Sequence, residues 1–317
     1  MRKIIILLLL TSYIFANEEF RLAFEKNNPV IISNYLKTYN LDIKNVKHKF
    51  YFLYYQNTNR FFVHELISPS PKGIIFFFHG YLSHSGLFWD FYKYMLEKNY
   101  SIITVDLPGH GLSDGERTAI DDFSTYAEVV YETYLKMQKE GIGLPIYFVG
   151  HSTGCSAIYE FMYNYRVFPE KVVFVAPLVR IIFWEMASFG YNLFGNNIKT
   201  LPRLRRNTSQ DRNYIDFLFN KDPIKYDFAD VSWFRATLVW NERIVNYNTI
   251  SNVNLLIVQG DKDEVVEWKY NIGFLTNKFY NSKVYLIKEG RHDLLAEKED
   301  IKFEAFKEIE NFLKNSY

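Results

Sequence analysis

The sequence contains a single cysteine, Cys155, among 317 residues. One cysteine excludes an internal disulfide framework, and it excludes the Cys-rich zinc sites that need several thiolate ligands. Net charge is also nearly absent, because 37 Lys and Arg residues oppose 36 Asp and Glu residues. Dedicated nucleic-acid-binding proteins usually carry a strongly basic surface, so we expect no nucleic-acid partner.

Glycine and proline are scarce, at 15 and 9 residues, whereas hydrophobic residues make up 48% of the chain and aromatic residues 19%. This composition excludes disordered, collagen-like and low-complexity classes. Beyond the N-terminus no segment reaches 18 consecutive apolar residues, so no membrane-spanning helix is predicted there. The chain can therefore build a large core and still have aromatic side chains for an apolar binding surface.

The N-terminal segment has the layout of a secretory signal peptide. Arg2 and Lys3 precede an apolar run over residues 4–15, and Ala16 is the predicted cleavage position. The run is shorter than the roughly 20 residues that span a bilayer. We therefore predict that residues 1–16 are a signal peptide and that the protein is secreted or periplasmic. An uncleaved anchor is the alternative.

Strand and helix patterns alternate along the rest of the chain. Residues 46–55 and 60–67 predict an antiparallel hairpin. Short apolar runs predict strands buried on both faces at residues 73–79, 101–106, 145–150, 171–176, 254–259 and 283–288. Helical patterns lie at residues 86–99, 121–140, 152–166, 264–279 and 297–314. This order predicts an α/β fold, with a mostly parallel central sheet flanked by helices.

Residues 178–250 interrupt this alternation. The segment is rich in Phe and Trp and contains no clear strand pattern. We interpret it as a helical cap insertion, which divides the core into a first part, residues 17–177, and a second part, residues 251–317.

The sequence Gly150-His151-Ser152-Thr153-Gly154 matches the pattern G-x-S-x-G, with a predicted strand before it and a predicted helix after it. In such a turn the serine lies at the apex in a strained conformation. Side chains two residues to either side would collide, so both of those positions require glycine. The motif predicts Ser152 as a nucleophile, and an ordinary tight turn is the alternative.

A serine hydroxyl is a weak nucleophile at neutral pH, so it needs a base that is itself oriented by an acid. His292 is the one histidine after the insertion, and we predict that it is the base, with a solvated loop histidine as the alternative. Asp261 and Asp263 compete for the role of the acid. We favour Asp263, because it follows the end of a strand and can point across the strand ends. Its alternative role is to cap the following helix.

Two backbone N–H groups are candidates for an oxyanion hole, which would stabilise the negative oxygen of a tetrahedral intermediate. One belongs to Tyr81, just past the strand that ends in His79-Gly80, and the other belongs to Thr153, next to Ser152. We expect His79 to hold this loop in place rather than to act in catalysis.

These segments together resemble the serine α/β-hydrolases of the monoacylglycerol lipase and lysophospholipase group, which is also labelled serine aminopeptidase S33-like. The resemblance covers about residues 45–315 and rests on Phe78-His79-Gly80, Asp106-x-x-Gly109-His110-Gly111-x-Ser113, the G-x-S-x-G motif, Gly260-x-x-Asp263-x-Val265-Val266 and Gly290-x-His292. It implies an α/β-hydrolase fold and a catalytic triad of Ser152, Asp263 and His292. It also implies that no metal or organic cofactor is needed. A Met is common in this group where this chain has Thr153.

The resemblance implies hydrolysis of the acyl ester of a monoacylglycerol or a lysophospholipid through an acyl-enzyme. A general carboxylesterase and an aminopeptidase on the same scaffold are alternatives, whereas a non-catalytic binding protein would ordinarily have lost a member of the triad. An aminopeptidase needs carboxylates near a free amine, and the candidates in the insertion are Glu185, Asp211, Asp216 and Asp227.

The expected partner is a lipid ester, with peripheral membrane contact through the cap. The aromatic residues of the insertion could roof an acyl tunnel, or they could only pack the cap. Arg203, Arg205 and Arg206 could meet a phosphate head group or an anionic membrane, or form a solvated basic face. The sequence leaves the head group, the acyl length and the oligomeric state open.

Overall fold

The computed structural model describes residues 17–315. The predicted signal peptide, residues 1–16, therefore lies outside the described residues. Within that range, none of the helices combines the length and the apolar character that crossing a bilayer requires.

An eight-stranded sheet forms the centre of the fold, in the order β1-β2-β4-β3-β5-β6-β9-β10. Its strands are β1 (Lys47–Tyr55), β2 (Asn59–Ile67), β3 (Gly73–Phe78), β4 (Tyr100–Val105), β5 (Ile146–His151), β6 (Lys171–Val175), β9 (Ile250–Gly260) and β10 (Phe279–Ile287). Strand β2 runs antiparallel to β1 and β4, and the other neighbouring pairs are parallel. The predicted hairpin and the mostly parallel sheet are confirmed.

Helices cover both faces of this sheet. The helices of the described residues are α1 (residues 17–25), α2 (Pro29–Thr38), α3 (Trp89–Glu97), α4 (Ser124–Lys139), α5 (Thr153–Tyr165), α6 (Trp184–Phe194), α7 (Arg212–Asp216), α8 (Val231–Ile244), α9 (Trp268–Lys278) and α10 (Glu299–Lys314). Strand β3 supplies both cores, because successive side chains point to opposite faces. Phe76 and Phe78 pack beneath α4 and α5, whereas Ile75 and Phe77 pack beneath α3 and α10.

Two elements differ from the sequence prediction for identifiable reasons. Strand β10 is not buried on both faces, because it is the edge strand and leaves Val284 and Leu286 exposed. Helix α9 begins at Trp268 instead of residue 264. The backbone before it is engaged elsewhere, since the N–H of Val265 bonds to a side chain and the N–H of Glu267 bonds to the carbonyl of Arg180.

The cap, residues 178–250, connects β6 to β9 and contains α6, α7 and α8. It also contains two three-residue strands, β7 (Thr200–Pro202) and β8 (Phe228–Asp230), which pair antiparallel. The segment is therefore mainly helical, as interpreted from the sequence, and adds two short strands that showed no clear pattern there. Helix α8 is tied to α5 of the core, because the carboxylate of buried Glu160 accepts hydrogen bonds from Trp240 at 2.9 Å and Arg243 at 2.6 Å.

Candidate active site

Ser152 lies at a sharp turn between β5 and α5, with φ 52° and ψ −114°. This left-handed backbone is strained for a residue with a side chain. The two motif glycines allow it. A Cβ on Gly150 would lie 2.6 Å from the backbone nitrogen of Cys155, and a Cβ on Gly154 would overlap the carbonyl of Phe78. The chain therefore holds the Ser152 side chain at the carboxyl end of the sheet.

Three side chains from distant parts of the chain meet at this edge. The hydroxyl of Ser152 lies 3.1 Å from Nε2 of His292, and Nδ1 of His292 lies 2.8 Å from Oδ2 of Asp263. All three residues are buried. Ser152 follows β5, Asp263 follows β9 and His292 follows β10, so parallel strands of one sheet deliver them to the same rim.

The structure distinguishes the two candidate acids. Asp263 accepts hydrogen bonds from the backbone N–H groups of Val265 at 2.8 Å and Val266 at 3.2 Å, and it faces His292. Asp261 instead accepts a hydrogen bond from the backbone N–H of Glu289 at 2.7 Å, in the turn after β10. Asp263 does not cap α9 directly, because that helix begins five residues later, at Trp268.

Burial and pairing set the protonation of this cluster. Burial by itself raises the pKa of Asp263, but the neighbouring charge and hydrogen bond of His292 outweigh it and hold that pKa below its ordinary value. Burial likewise lowers the pKa of His292, and the charge and hydrogen bond of Asp263 outweigh this effect and raise it. The arrangement favours a charged Asp263 that steadies positive charge on His292.

The loop after β3 lies directly against Ser152. A Cβ on Gly80 would lie 3.0 Å from Cβ of Ser152. Tyr81 follows Gly80 and is fixed from the other side, because its hydroxyl donates to the carbonyl of Thr118 at 2.8 Å and its ring stacks on Trp233 at 3.9 Å. Thr153 is the first residue of α5, so its N–H has no acceptor within the helix. Both residues line the cavity above Ser152.

His79 is a buried structural residue beneath this loop. Its Nδ1–H donates to the carbonyl of Gly80 at 2.7 Å, and its Nε2 accepts from the N–H of Leu107 at 2.9 Å. Burial lowers the pKa of His79 to about 3, which keeps the ring neutral. These bonds hold the loop, in the role that the sequence indicated for this residue.

Two residues that support the site escaped the sequence analysis. His151 donates from Nε2 to the backbone carbonyl of His292 at 3.1 Å. Gln259 donates to Oδ2 of Asp263 at 3.0 Å, the same oxygen that faces His292. His151 stood inside the serine motif, which gave a signal for it, whereas nothing in the sequence pattern singles out Gln259.

Nitrogen atoms of His151 and His292 and an oxygen of Asp293 lie within 4.8 Å of one another, a spacing that could hold a metal ion. The hydrogen bonds argue against that use. Nε2 of His292 faces Ser152, its Nδ1 faces Asp263, and Nε2 of His151 is engaged by a backbone carbonyl. We therefore interpret this cluster as part of the serine site.

A cavity of about 640 Å³ opens above Ser152 and His292, roofed by the cap. Its walls are mainly apolar and include Leu178, Ile181, Phe194, Leu218, Phe219, Trp233, Phe234 and Val265. Polar groups are few, and they include Arg203, Arg206, Thr208, Asp230 and Asp293. The aromatic residues of the insertion therefore pack the cap and also line the site.

The four acids that were candidates for an amine subsite do not line this cavity. The side chains of Glu185 and Asp227 are largely exposed, and that of Asp216 is partly exposed. Asp211 caps α7 by accepting hydrogen bonds from the N–H groups of Asn213 and Tyr214. Within residues 17–315, these groups do not form the carboxylate-lined subsite that an aminopeptidase would need.

The fold and this site define a serine α/β-hydrolase. A family model described as serine aminopeptidase, S33, matches residues 69–299, and the chain belongs to this family. The resemblance found in the sequence is confirmed.

Relatives match along most of the chain. It is 26% identical over 255 residues to a monoglyceride lipase homolog of Monkeypox virus, covering 77% of this chain and 90% of the relative. It is 23% identical over 242 residues to the phospholipase YtpA of Bacillus subtilis (strain 168), covering 72% of this chain and 91% of the relative. The fold is similar to a soluble variant of monoglyceride lipase from Saccharomyces cerevisiae in complex with a substrate analog. That match has a TM-score of 0.75 and 12% identity, and it covers 86% of this chain and 97% of the other.

Proposed function

We propose that this protein is a serine hydrolase that cleaves the acyl ester of a monoacylglycerol or a lysophospholipid through an acyl-enzyme. One observation carries the proposal. The hydroxyl of Ser152 lies 3.1 Å from Nε2 of His292 at the base of a mainly apolar cavity. A nucleophile with its base in reach can attack an ester carbonyl, and apolar walls can hold an acyl chain beside it.

In the proposed reaction, His292 takes the proton of the Ser152 hydroxyl as its oxygen bonds to the ester carbonyl carbon. The carbonyl oxygen gains the negative charge. When the tetrahedral intermediate collapses, the ester C–O bond breaks and His292 gives its proton to the leaving alcohol. A water molecule then repeats the attack on the acyl-enzyme and releases the fatty acid and free Ser152. Asp263 orients His292 and stabilises its positive charge.

We assign the oxyanion hole to the backbone N–H groups of Tyr81 and Thr153. The position of Gly80 against Ser152 supports this assignment, because it puts the loop that carries Tyr81 beside the nucleophile. Loss of a single oxyanion donor costs about 3–4 kcal/mol of transition-state stabilisation in a serine protease. The fixed ring of Tyr81 keeps its backbone in place without taking part in the reaction.

The names of two relatives support the substrate class, since one is called a monoglyceride lipase homolog and the other a phospholipase. A monoacylglycerol and a lysophospholipid, the two proposed substrates, each carry one acyl chain on a glycerol backbone. The cavity of this protein suits one acyl chain, because its walls are mainly apolar. These walls come from the cap and from the residues after β6 and β9.

A series of matched acyl esters of rising chain length, assayed beside aminoacyl amides, tests the proposal. We expect a higher kcat/KM for long-chain monoesters than for short ones, and little hydrolysis of the amides. The Ser152→Ala variant should lose activity on every substrate. Equal activity on all chain lengths would indicate a general carboxylesterase, a preference for amides would indicate an aminopeptidase, and activity that survives in Ser152→Ala would overturn the mechanism.

We also propose that the cap contacts a membrane surface. Large apolar side chains recur on one face of α6 and just before it, where Phe183, Met186 and Phe189 are more than half exposed. Leu201 and Leu204 of the cap are also more than half exposed. Other residues of α6, including Ala187 and Phe194, line the cavity, and an exposed apolar face on an element of a lipid site is suited to shallow insertion among lipid head groups.

Sedimentation with phosphatidylcholine vesicles tests this contact. The double variant Met186→Ser and Phe189→Ser should bind vesicles less than the parent protein does. Tyr280→Ser is the matched control, because Tyr280 is exposed on the edge strand β10 outside the cap. Equal losses in the two variants would contradict a specific role for the cap.

We also propose that the protein is secreted or periplasmic. It is supported by the charged and apolar layout of residues 1–16. N-terminal sequencing of protein expressed in its own cell should begin at Asn17. A sequence that begins at Met1 would favour the uncleaved anchor.

A further inference from the structure

We propose that the head-group end of the cavity binds a phosphate, so that a lysophospholipid is preferred over a monoacylglycerol. This inference rests on the proposed function and refines its substrate. It assigns binding roles to Arg203 and Arg206, two cations that the hydrolysis itself does not use. The chemistry recognised is a phosphate ester attached to the glycerol of a single-chain lipid.

The reaction determines where the head group must lie. His292 returns its proton to the leaving alcohol, so the glycerol oxygen has to sit within hydrogen-bond reach of Nε2 of His292. The glycerol and whatever it carries therefore occupy the space beside His292. Trp233 lies on a different side of the cavity, next to the loop of the oxyanion hole, because its ring stacks on Tyr81.

The cap segment that carries both arginines lies against the His292 loop. The N–H of Asp293 donates to the carbonyl of Thr208 at 2.8 Å, and the N–H of Gln210 donates to Oε2 of Glu297 at 2.7 Å. Glu297 also accepts a hydrogen bond from the N–H of Arg291 at 3.0 Å. These bonds hold Thr208 and Gln210, just after the two arginines in the chain, against the loop from which His292 projects.

Arg206 lines the cavity on this side. Its charge is close enough to His292 to oppose protonation of that ring, which lowers the pKa of His292 and works against the effect of Asp263. This effect favours the neutral form of the base. A cation that lines the cavity beside His292 can also attract an anionic substituent on the leaving alcohol.

Arg203 lines the same cavity and is only partly exposed. In residues 17–315 no carboxylate forms an ion pair with its guanidinium, which donates one long hydrogen bond of 3.4 Å to the carbonyl of Tyr226 and lies over the ring of Phe219. Burial lowers the pKa of Arg203. Most of its five N–H donors are therefore available to an anion, and a bidentate pair with phosphate is the strongest use of them.

The carboxylates around Arg203 are engaged elsewhere. Asp222 accepts from the hydroxyl of Tyr39 at 2.7 Å and faces His84 at 3.0 Å. Asp227 pairs with Lys225, and Asp293 accepts a hydrogen bond from the side chain of Tyr214. A phosphate would meet Arg203 without displacing an existing ion pair.

Thr208 is a further polar group that lines the cavity and lacks a partner within residues 17–315. Its hydroxyl oxygen is buried, lines the cavity and has no hydrogen-bond partner in the described part of the chain. A buried hydroxyl without a partner carries a desolvation cost that a ligand oxygen can relieve. Two cations and a free hydroxyl on the leaving-group side form a site for a phosphate ester.

The test compares 1-oleoyl lysophosphatidylglycerol with 1-oleoylglycerol, both presented in neutral detergent micelles. Arg203→Gln and Arg206→Gln should each lower kcat/KM for the phospholipid at least about tenfold, because each removes a charge-assisted hydrogen bond. Assayed at a pH well above the acid limb of the pH profile, where His292 is neutral in every variant, the same variants should keep kcat/KM for 1-oleoylglycerol within about twofold, since that substrate has no phosphate to lose. Arg203→Lys should restore part of the activity on the phospholipid.

Arg205→Gln is the matched control, because Arg205 belongs to the same segment but does not line the cavity. It should leave the ratio of the two kcat/KM values unchanged. Activity on 1-oleoylglycerol also reports whether each variant is folded. Inorganic phosphate separates a free anion from the lipid head group. Its inhibition of the hydrolysis of each substrate is compared with inhibition by glycerol 3-phosphate. If inorganic phosphate inhibits both hydrolyses equally, and as strongly as glycerol 3-phosphate does, the site binds free phosphate and the inference fails.

Equal losses on both substrates, or no loss in either arginine variant, would overturn the inference while leaving the esterase assignment standing. A further assay presents the substrates in anionic vesicles. If kcat/KM falls only in these vesicles, and falls in Arg205→Gln as well, the arginines bind a membrane surface and the inference is overturned. Failure to hydrolyse either ester would instead remove the proposed function itself.

Discussion

His151 donates a hydrogen bond from Nε2 to the backbone carbonyl of His292, over 3.1 Å. Burial, together with the nearby charge of His292, lowers the pKa of His151 to about 4. The ring of His151 is therefore neutral at pH 7 and keeps the proton that it donates. This bond fixes the backbone of the proposed base from the neighbouring turn.

We expect His151→Leu to lower kcat about fivefold with little change in KM, since a hydrogen bond of this kind is worth about 1 kcal/mol. His151→Gln can still donate and should recover part of the loss. Steady-state kinetics on a monoacylglycerol measure both values. A rise in KM with an unchanged kcat would point to a role in substrate binding instead.

The acid can be identified by comparing Asp263→Asn with Asp261→Asn. We expect kcat to fall by about 10³–10⁴ in Asp263→Asn, because an amide neither stabilises positive charge on His292 nor selects the productive tautomer. Asp261→Asn should stay near the parent activity, since its side-chain oxygen can still accept from Glu289. The larger loss in Asp261→Asn would reverse the assignment.

The pairing of His292 with Asp263 has a consequence for pH dependence. The base must be neutral to accept a proton, so kcat/KM falls as the pH drops through the pKa of His292. That pKa is raised from the ordinary value of 6.5, which places the acid limb of the profile above pH 6.5. In Asp263→Asn the raising partner is gone and burial remains, so the limb should move to lower pH.

Profiles of kcat/KM against pH measure this midpoint in the free enzyme. A titration of His292 by NMR in both proteins gives an independent value where the variant is too slow to assay. A midpoint that is identical in the parent and in Asp263→Asn would contradict the proposed pairing.

The tight turn at Ser152 predicts that Gly→Ala substitutions at two positions change the free energy of unfolding in opposite directions. Gly154→Ala should destabilise the protein by about 3 kcal/mol, because the added methyl group overlaps the carbonyl of Phe78. Gly273→Ala is the control within α9, where an added Cβ meets nothing within 4 Å. That change should stabilise the protein by about 0.5–1 kcal/mol. Urea unfolding measures both, and equal effects would contradict the tight approach at Gly154.

The sequence predicts most of the sheet because short apolar runs that end in Gly, Asp or Pro are typical of buried parallel strands. It does not predict β7 and β8, since three residues are too few to establish a period. Helix α2 was also missed, although Asn28 followed by Pro29 gave a signal for its start. Local sequence patterns reveal an element when its own residues determine its structure. They do not reveal an element whose structure depends on tertiary contacts.

The same distinction applies to the site. Ser152 could be found because its turn needs glycines at fixed spacings, and His292 because few histidines compete with it. Gln259 could not be found, because its role depends on a distance of 3.0 Å to Asp263 that only the folded chain creates. The approach of Arg203 and Arg206 to His292 likewise depends on how the cap lies over the loop after β10.

The fold itself sets the left-handed backbone of Ser152, through the close approach of Gly150 and Gly154 to neighbouring backbone. The cost of that conformation is met once, when the chain folds, and it does not recur with each turnover. Small electrophiles that carry no acyl chain, such as a fluorophosphonate, should therefore label this serine at full occupancy. Its reactivity would then be a property of the resting enzyme, and the lipid would determine only which carbonyl is presented to it.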